Sequence, residues 1–344
     1  MTRPASDAAA RSELLPGNEP VRAQLLRMAE SERLHPCLLF EGPSGVGKRA
    51  TATWLARLVN CEAVAEARPC GRCWSCRQIP QGMHPDIMEV GLDPERTAPV
   101  ISVKQARALT SALVLRPFHA RRRFVIIDPA EAMTIEAANA LLKTFEEPPA
   151  DTGFILVTSH PSRLLATVRS RTQRVRFGPT PPDVLVPWLT QRGLADAVSL
   201  ARLSEGCPGA ALALADGGVA AERAARDAVV AALEGPLQAR IAFVEKLTKG
   251  DRAAWRVRAD RMLGALETLA RDALVFSAQG QSAPLMSLDR PELVAAWAAA
   301  LGVSGAGRVG EAVGRARADL DGFVNGRLVL DHLLACIVRE LGLD

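Results

Sequence analysis

Two stretches of the chain carry residues whose types and spacing do chemistry. The first is Cys37-Leu38-Leu39-Phe40-Glu41-Gly42-Pro43-Ser44-Gly45-Val46-Gly47-Lys48-Arg49, an apolar run followed by glycines and a lysine. Gly42, Gly47 and Lys48 fit the phosphate-binding spacing G-x-x-x-x-G-K-[ST] except at its last place, where Arg49 stands for the hydroxyl residue. The glycines, Gly45 among them, let backbone N–H groups turn toward a phosphate, and the following helix adds its positive N-terminus. Lys48 would reach the outer phosphates of ATP or ADP. The absent hydroxyl is the usual magnesium ligand, so Mg2+ is not expected, and the loop speaks for a nucleotide fold more strongly than for hydrolysis.

The second stretch is Cys61-x8-Cys70-x2-Cys73-x2-Cys76, four of the seven cysteines within sixteen residues. Tetrahedral zinc takes four thiolates brought together by tight turns, and Pro69 and Gly71 favour such a turn. Loose thiols or a redox C-x-x-C are the alternatives, and neither accounts for four cysteines so close together. Four thiolates leave no open position for substrate, so a structural Zn2+ is expected. Asp128 ends the strongest apolar run, 124–127, where a nucleotide-bound metal would find a carboxylate; a plain turn-capping aspartate is the competing reading. His84, in His84-Pro85-Asp86, reads as a turn histidine rather than a ligand.

The elements that must position these residues alternate. Residues 21–29 have apolar residues at helical spacing, and 50–59 continue the phosphate loop as a helix. Strands are expected at 86–90, 124–127, 154–158 and near 174–177. Helices are expected from Ser102 to about 115, from Thr134 to 146, and in a short turn ending at 168. Alternating strands and helices through residue 178 imply a parallel α/β sheet. Beyond Thr180-Pro181-Pro182 nothing reads as strand. Residues 184–192, 195–204 and 210–215 look like three short helices, and from 220 onward an Ala/Leu/Arg-rich region reads as about five. Breaks fall at Gly235-Pro236, around 280–284 and at the glycines of 302–310, and 328–341 is strongly amphipathic. The expected domains are therefore 1–178 with the cysteine module at 61–76, a helical lid at 179–218, and an all-α bundle at 219–344. Residues 1–18 are polar and are expected to fray, and Cys207 and Cys336 are expected in the core.

The chain has 344 residues, enough for two or three domains, and 48% hydrophobic residues allow a real core. A formal net charge of +4 does not by itself argue for nucleic acid. Aromatics make up 4% and tyrosine is absent, which disfavours base-stacking platforms. No apolar run approaches a membrane span and no signal-peptide core opens the chain, so the expected compartment is the cytoplasm and no membrane partner is expected.

Taken together, these residues resemble the bacterial AAA+ clamp-loader proteins of DNA polymerase III. The closest likeness is Glu136-Ala137-Ala138-Asn139-Ala140-Leu141-Leu142-Lys143-Thr144-Phe145-Glu146-Glu147-Pro148-Pro149, similar to the family's A-x-N-A-L-L-K-x-L-E-E-P-P. Leu164-Leu165-Ala166-Thr167-Val168-Arg169-Ser170-Arg171-Thr172 resembles its S-R-C segment, with Thr172 for the cysteine. The four-cysteine spacing fits the family's inserted zinc module. The likeness covers about residues 20–215; the C-terminal bundle matches only in position and helical character.

The resemblance implies an AAA+ phosphate-loop domain with a zinc module, a three-helix lid and a helical collar. The departures imply which kind of subunit. ATP-hydrolysing members carry a full phosphate loop, an acidic residue after the strand-end aspartate and an arginine in the lid. Here Arg49 replaces the hydroxyl, Pro129 follows Asp128, and Gly206-Cys207-Pro208-Gly209 offers no arginine. Glu131 is out of register to replace the missing acid. Arg171 would then be the chemically active residue, an arginine finger reaching the ATP of a neighbouring subunit; without the resemblance it reads as a surface arginine paired with a carboxylate. The implied partners are tau/gamma ATPase subunits, the delta subunit, the beta sliding clamp and primer–template DNA. DNA would be met through phosphates at Lys104, Arg107 and Arg121, Arg122 and Arg123, with a solvated charge run as the default reading of the arginine triplet. An ATP-hydrolysing tau/gamma-type subunit and a static nucleotide-binding module remain the alternatives.

Overall fold

The three apolar runs at 37–41, 123–127 and 152–158 have no polar face, and such strands must be covered on both sides. In the computed structural model, which describes residues 15–96, 99–321 and 325–343, they form the middle of a sheet. Most of the N-terminal segment expected to fray, 1–14, lies outside the described residues.

The order along the chain is α1 (Glu19–Glu30), β1 (Cys37–Glu41), α2 (Lys48–Asn60), α3 (Trp74–Gln78), β2 (Ile87–Val90), α4 (Val103–Ala112), β3 (Arg123–Ile127), α5 (Ile135–Glu146), β4 (Thr152–Thr158), α6 (Ala166–Arg169) and β5 (Gln173–Arg176). The five strands are all parallel in the order β2-β3-β4-β1-β5. Leu38 and Phe40 of β1 face the side covered by Leu25, Ala52 and Leu55 of α1 and α2. Cys37 and Leu39 face Leu109, Leu141 and Phe145 of α4 and α5. The helix starts are set locally: Thr134 Oγ1 accepts from Ala137 N at 3.1 Å, and Ser102 with Gln105 makes a reciprocal capping box.

Three short helices follow, α7 (Pro182–Gln191), α8 (Ala197–Leu203) and α9 (Pro208–Ala213). The chain divides into two compact units, one ending at Leu212 and one beginning at Ala213. The second unit is helical among the described residues, with α10 (Val219–Glu234), α11 (Leu237–Leu247), α12 (Arg252–Gln279), α13 (Pro291–Asp321) and α14 (Gly326–Leu341). Its core is built from Leu233, Leu263, Leu266, Trp297, Val309, Leu330, Leu334 and Ile337.

The break expected at the glycines of 302–310 falls at Gly302, which leaves helical geometry (φ 57°, ψ −172°) between two helical stretches. Two expectations are corrected here. By length and composition α13 does reach what a membrane span requires. Its buried Leu293, Trp297, Leu301, Val309 and Val313 instead pack into the bundle core. Cys336 is half-buried with its Sγ 3.6 Å from His332 Nε2, because its helix turns Leu333, Leu334 and Ile337 inward instead.

Candidate phosphate-loop site and thiolate cluster

In a parallel sheet the crevice for ligands lies beyond the carboxyl ends of the strands. Four strand ends meet there: the loop after β1, Glu89 in β2, Asp128 after β3, and Ser159 after β4. Gly42, Gly45 and Gly47 take φ values of 150°, 76° and 104°, which L-side chains rarely adopt. A Cβ at Gly42 would meet Phe177 O at 2.3 Å, and one at Gly45 would meet Ala210 N at 2.6 Å, so the loop is wedged between the residue after β5 and the start of α9. Gly209 N donates to Gly45 O at 2.8 Å, and Thr180 N donates to Gly206 O at 2.7 Å. The 206–209 segment therefore lies directly on the phosphate loop, and it carries no arginine.

Lys48 is buried, and its ammonium donates to Gly42 O (2.7 Å), Pro43 O (2.6 Å) and Ser159 Oγ (3.1 Å). Burial lowers its pKa, with Asp128 and Glu131 acting in the opposite direction. Arg49 turns to the carboxylates: it forms an ion pair with Glu89, and its NH1 lies 3.9 Å from Asp128 Oδ2. Burial raises the Asp128 carboxyl, while Arg49 and Lys48 hold it down and Glu131 and Glu89 add to the rise. Glu131 Oε1 accepts from Ser159 N at 3.1 Å and lies 3.3 Å from His160 Nδ1. Burial alone would push Glu131 up, but its backbone and side-chain hydrogen bonds leave it below the usual carboxylate range.

The loop residues Gly42, Gly45, Gly47, Lys48, Arg49 and Asp128 thus come together. Glu89 and Ser159 join them without having been singled out in sequence; Cys207, expected in the core and buried, lies close enough to act on Lys48, and Glu131, set aside by its register, joins too. The signal for the first two was their place at or near the ends of neighbouring parallel strands. Arg171 is elsewhere: it pairs with Glu146 at the end of α5, and its NH1 donates to Thr167 O (3.0 Å) and Ser170 Oγ (3.2 Å). About a third of its side chain is exposed.

Cys61 follows the last turn of α2, Cys73 caps α3 and Cys76 lies inside it. The four Sγ atoms lie within 4.8 Å of one another, and those of Cys61 and Cys73 are 4.0 Å apart. Four thiolates about 2.3 Å from one zinc stand roughly 3.8 Å apart, so the donor set fits a tetrahedral metal ion such as zinc. Backbone N–H groups of Cys70, Cys73 and Cys76 point at the sulfurs of Cys61, Cys70 and Cys73, at 3.3, 3.3 and 3.4 Å. The Cys70 thiol falls to about 7, because N–H groups and neighbouring thiols outweigh its burial, while burial pushes Cys61 and Cys76 up. Trp74, between Cys73 and Cys76 in sequence, contacts the rings of both His84 and His119, which also lie near each other. His84 is buried, and its Nδ1 accepts from Asp86 N at 3.2 Å, closing its own turn.

The arginine run is corrected. Arg123 is buried, donating to Leu115 O at 2.8 Å with Asp86 Oδ1 at 3.7 Å. Arg122 is half-buried, donates to Leu34 O at 3.4 Å and lies over the Phe124 ring. Only Arg121 of the three is exposed, as are Lys104 and Arg107.

The sheet order, the glycine loop and the 206–209 segment lying on it form a parallel α/β phosphate-loop module that resembles the AAA+ fold. Residues 17–181 match the family described as DNA polymerase III, delta subunit. The chain is similar to DNA polymerase III subunit delta′ of Pseudomonas aeruginosa, 39% identical over 200 residues, which cover 56% of this chain and 60% of that one. It is likewise 38% identical over 205 residues to subunit delta′ of Escherichia coli K12, covering 59% and 61%. Subunit gamma/tau of Mycobacterium bovis is 37% identical over 169 residues, 49% of this chain and 29% of that one. The matched stretches thus span about three-fifths of the length of the delta′ relatives. Percentage identity alone barely separates delta′ from gamma/tau, so local chemistry has to.

Proposed function

We propose that this chain is the delta′ subunit of a DNA polymerase III clamp loader, a member that does not hydrolyse ATP and presents Arg171 to the ATP of a neighbouring tau/gamma subunit. One observation carries the reading: three departures converge on a single site. Arg49 pairs with Glu89 and Asp128 where a hydroxyl belongs, Pro129 follows Asp128, and an arginine-free segment lies on the loop. Such a loop keeps the fold but lacks groups that align water and neutralise a transferring phosphoryl group.

Arg171 suits work in trans. Exposed ion pairs are worth about 0–1 kcal/mol, so exchanging Glu146 for a partner's γ-phosphate costs little. A guanidinium supplied in this way raises phosphoryl-transfer rates by roughly 10³–10⁵ in other NTPases. Domains 1–178 and 179–218 would sit in a ring of AAA+ subunits, with 219–344 as the collar. The assembly would include the delta subunit, open the beta sliding clamp and load it at primer–template junctions in the cytoplasm. DNA contact would be to phosphates, through Lys104, Arg107, Arg121 and the start of α4, with no base readout. Cys61, Cys70, Cys73 and Cys76 would hold a structural zinc that ties the end of α2 to α3 and takes no part in the reaction.

The test is reconstitution with partner subunits: Arg171→Ala should depress the clamp- and DNA-stimulated ATPase, and an unchanged rate removes the assignment. The likeness to gamma/tau favours a second reading, in which this chain is itself the ATPase. That reading requires hydrolysis by the isolated chain that Lys48→Ala abolishes; a blank from the isolated chain eliminates it.

A further inference from the structure

A phosphate loop of this kind implies a magnesium ion held between the loop hydroxyl and the strand-end carboxylate, and the residues present do not fit one. Mg2+ needs small oxygen ligands at about 2.0–2.1 Å in near-octahedral array. The hydroxyl position is Arg49, whose guanidinium forms an ion pair with Glu89 and approaches Asp128 Oδ2 to 3.9 Å. A cation already faces the carboxylate that a metal ion would need. The second cation of the site is committed as well: Lys48 is buried, its ammonium engaged by two carbonyls of the loop and by Ser159. Lys48 and Arg49 stand against Glu89, Asp128 and Glu131, whose charges all act on Asp128 or Lys48. Both cations that the described residues place on the loop, Lys48 and Arg49, are thus already engaged before any polyphosphate arrives.

We propose that Arg49 is a built-in substitute for the magnesium ion: a fixed side-chain cation that bridges the start of α2 to β2 and β3 and closes the loop to magnesium nucleotide. The ion pair does structurally what a bound Mg-nucleotide does in a working site, tying the phosphate-loop helix to the strand ends. It does so at any nucleotide concentration. With Gly209 N bonded to Gly45 O, the loop and the lid segment are held together without a ligand. The proposal deepens the non-hydrolysing reading and rests on it. It concerns binding by this chain alone, so it can fail while the role of Arg171 stands, and the reverse.

The experiment titrates the isolated full-length chain with a fluorescent ATP analogue, read by anisotropy, in excess Mg2+ and again in EDTA. The wild-type chain should give no saturable binding up to about millimolar nucleotide in either buffer. Arg49→Thr restores the hydroxyl and uncovers Glu89 and Asp128. It should bind at least about tenfold more tightly than wild type in Mg2+ and lose that gain in EDTA. The Arg49 side chain is 59% exposed, so the change does not open the core. Arg49→Ser serves as the second variant, with thermal melting to certify the fold. Wild-type protein binding magnesium nucleotide as tightly as Arg49→Thr would overturn the proposal. So would folded Thr and Ser variants that stay as blank as the wild type.

Discussion

Asp86 is a place where one side chain governs three backbone N–H groups. It is buried at the start of β2, and its carboxylate accepts N–H groups from Phe118 (2.8 Å), His119 (2.7 Å) and Ala120 (2.9 Å), with Arg123 NH2 at 3.7 Å. That single anion fixes the turn leading into β3, and hence the register that delivers Asp128 to the site. Asp86→Asn keeps the volume but removes the charge and turns an N–H2 toward N–H donors. Hydrogen bonds to a charged acceptor are worth about 1.5–3 kcal/mol each. The amide oxygen of asparagine retains part of that set, so the net cost should be about 3 kcal/mol. For a unit of this size that is a drop of roughly 6–12 °C in Tm. The assay is thermal and urea unfolding followed by tryptophan fluorescence, with Trp74 close by. Burial would raise the Asp86 pKa, but the three N–H groups more than compensate and leave it below the ordinary value. A lowered folded-state pKa stabilises above the unfolded value of about 3.9, and the contribution is lost as pH falls through the folded value. The stability difference between wild type and Asp86→Asn should therefore shrink as the pH drops below about 4. A variant within about 0.5 kcal/mol of wild type at pH 7, the range of an ordinary surface change, would refute the reasoning.

Two further outcomes follow from the same geometry. Metal released by a mercurial and read with a chromogenic chelator should give one zinc per chain. Cys73→Ser should abolish it and lower the melting temperature, and a metal-free wild-type chain that melts identically would remove the zinc assignment. Lys48→Met should leave the stimulated ATPase of a reconstituted assembly within about twofold of wild type if, as proposed, its ammonium serves the loop and no transferring phosphoryl group; a loss like that of a working phosphate-loop lysine would contradict this.

The sequence made the sheet readable wherever a strand is buried on both faces, because 37–40, 124–127 and 154–157 are unbroken apolar runs. It made helix starts readable where Ser102 and Thr134 cap them. Strand order was not readable. β1 lies between β4 and β5, partners more than a hundred residues away, and that order alone brings Glu89, Glu131 and Ser159 to the phosphate loop. The arginine run misled for a related reason. Three consecutive arginines look like a solvated surface, yet Asn60 and Asp86, distant in sequence, take up the Arg122 backbone and the Arg123 side chain. A break was expected among the glycines of 302–310, and only the conformation shows that Gly302 carries it.

The central claim is that the chemistry of this chain resides in Arg171 and acts on another subunit's ATP. The direct measurement is clamp- and DNA-stimulated ATP hydrolysis by the reconstituted assembly, comparing wild type with Arg171→Ala and Arg171→Lys. Both should lower the rate by about tenfold or more, lysine included, because a point charge does not reproduce the planar guanidinium fork. Rates within about twofold of wild type for a folded, assembled Arg171→Ala would contradict the account.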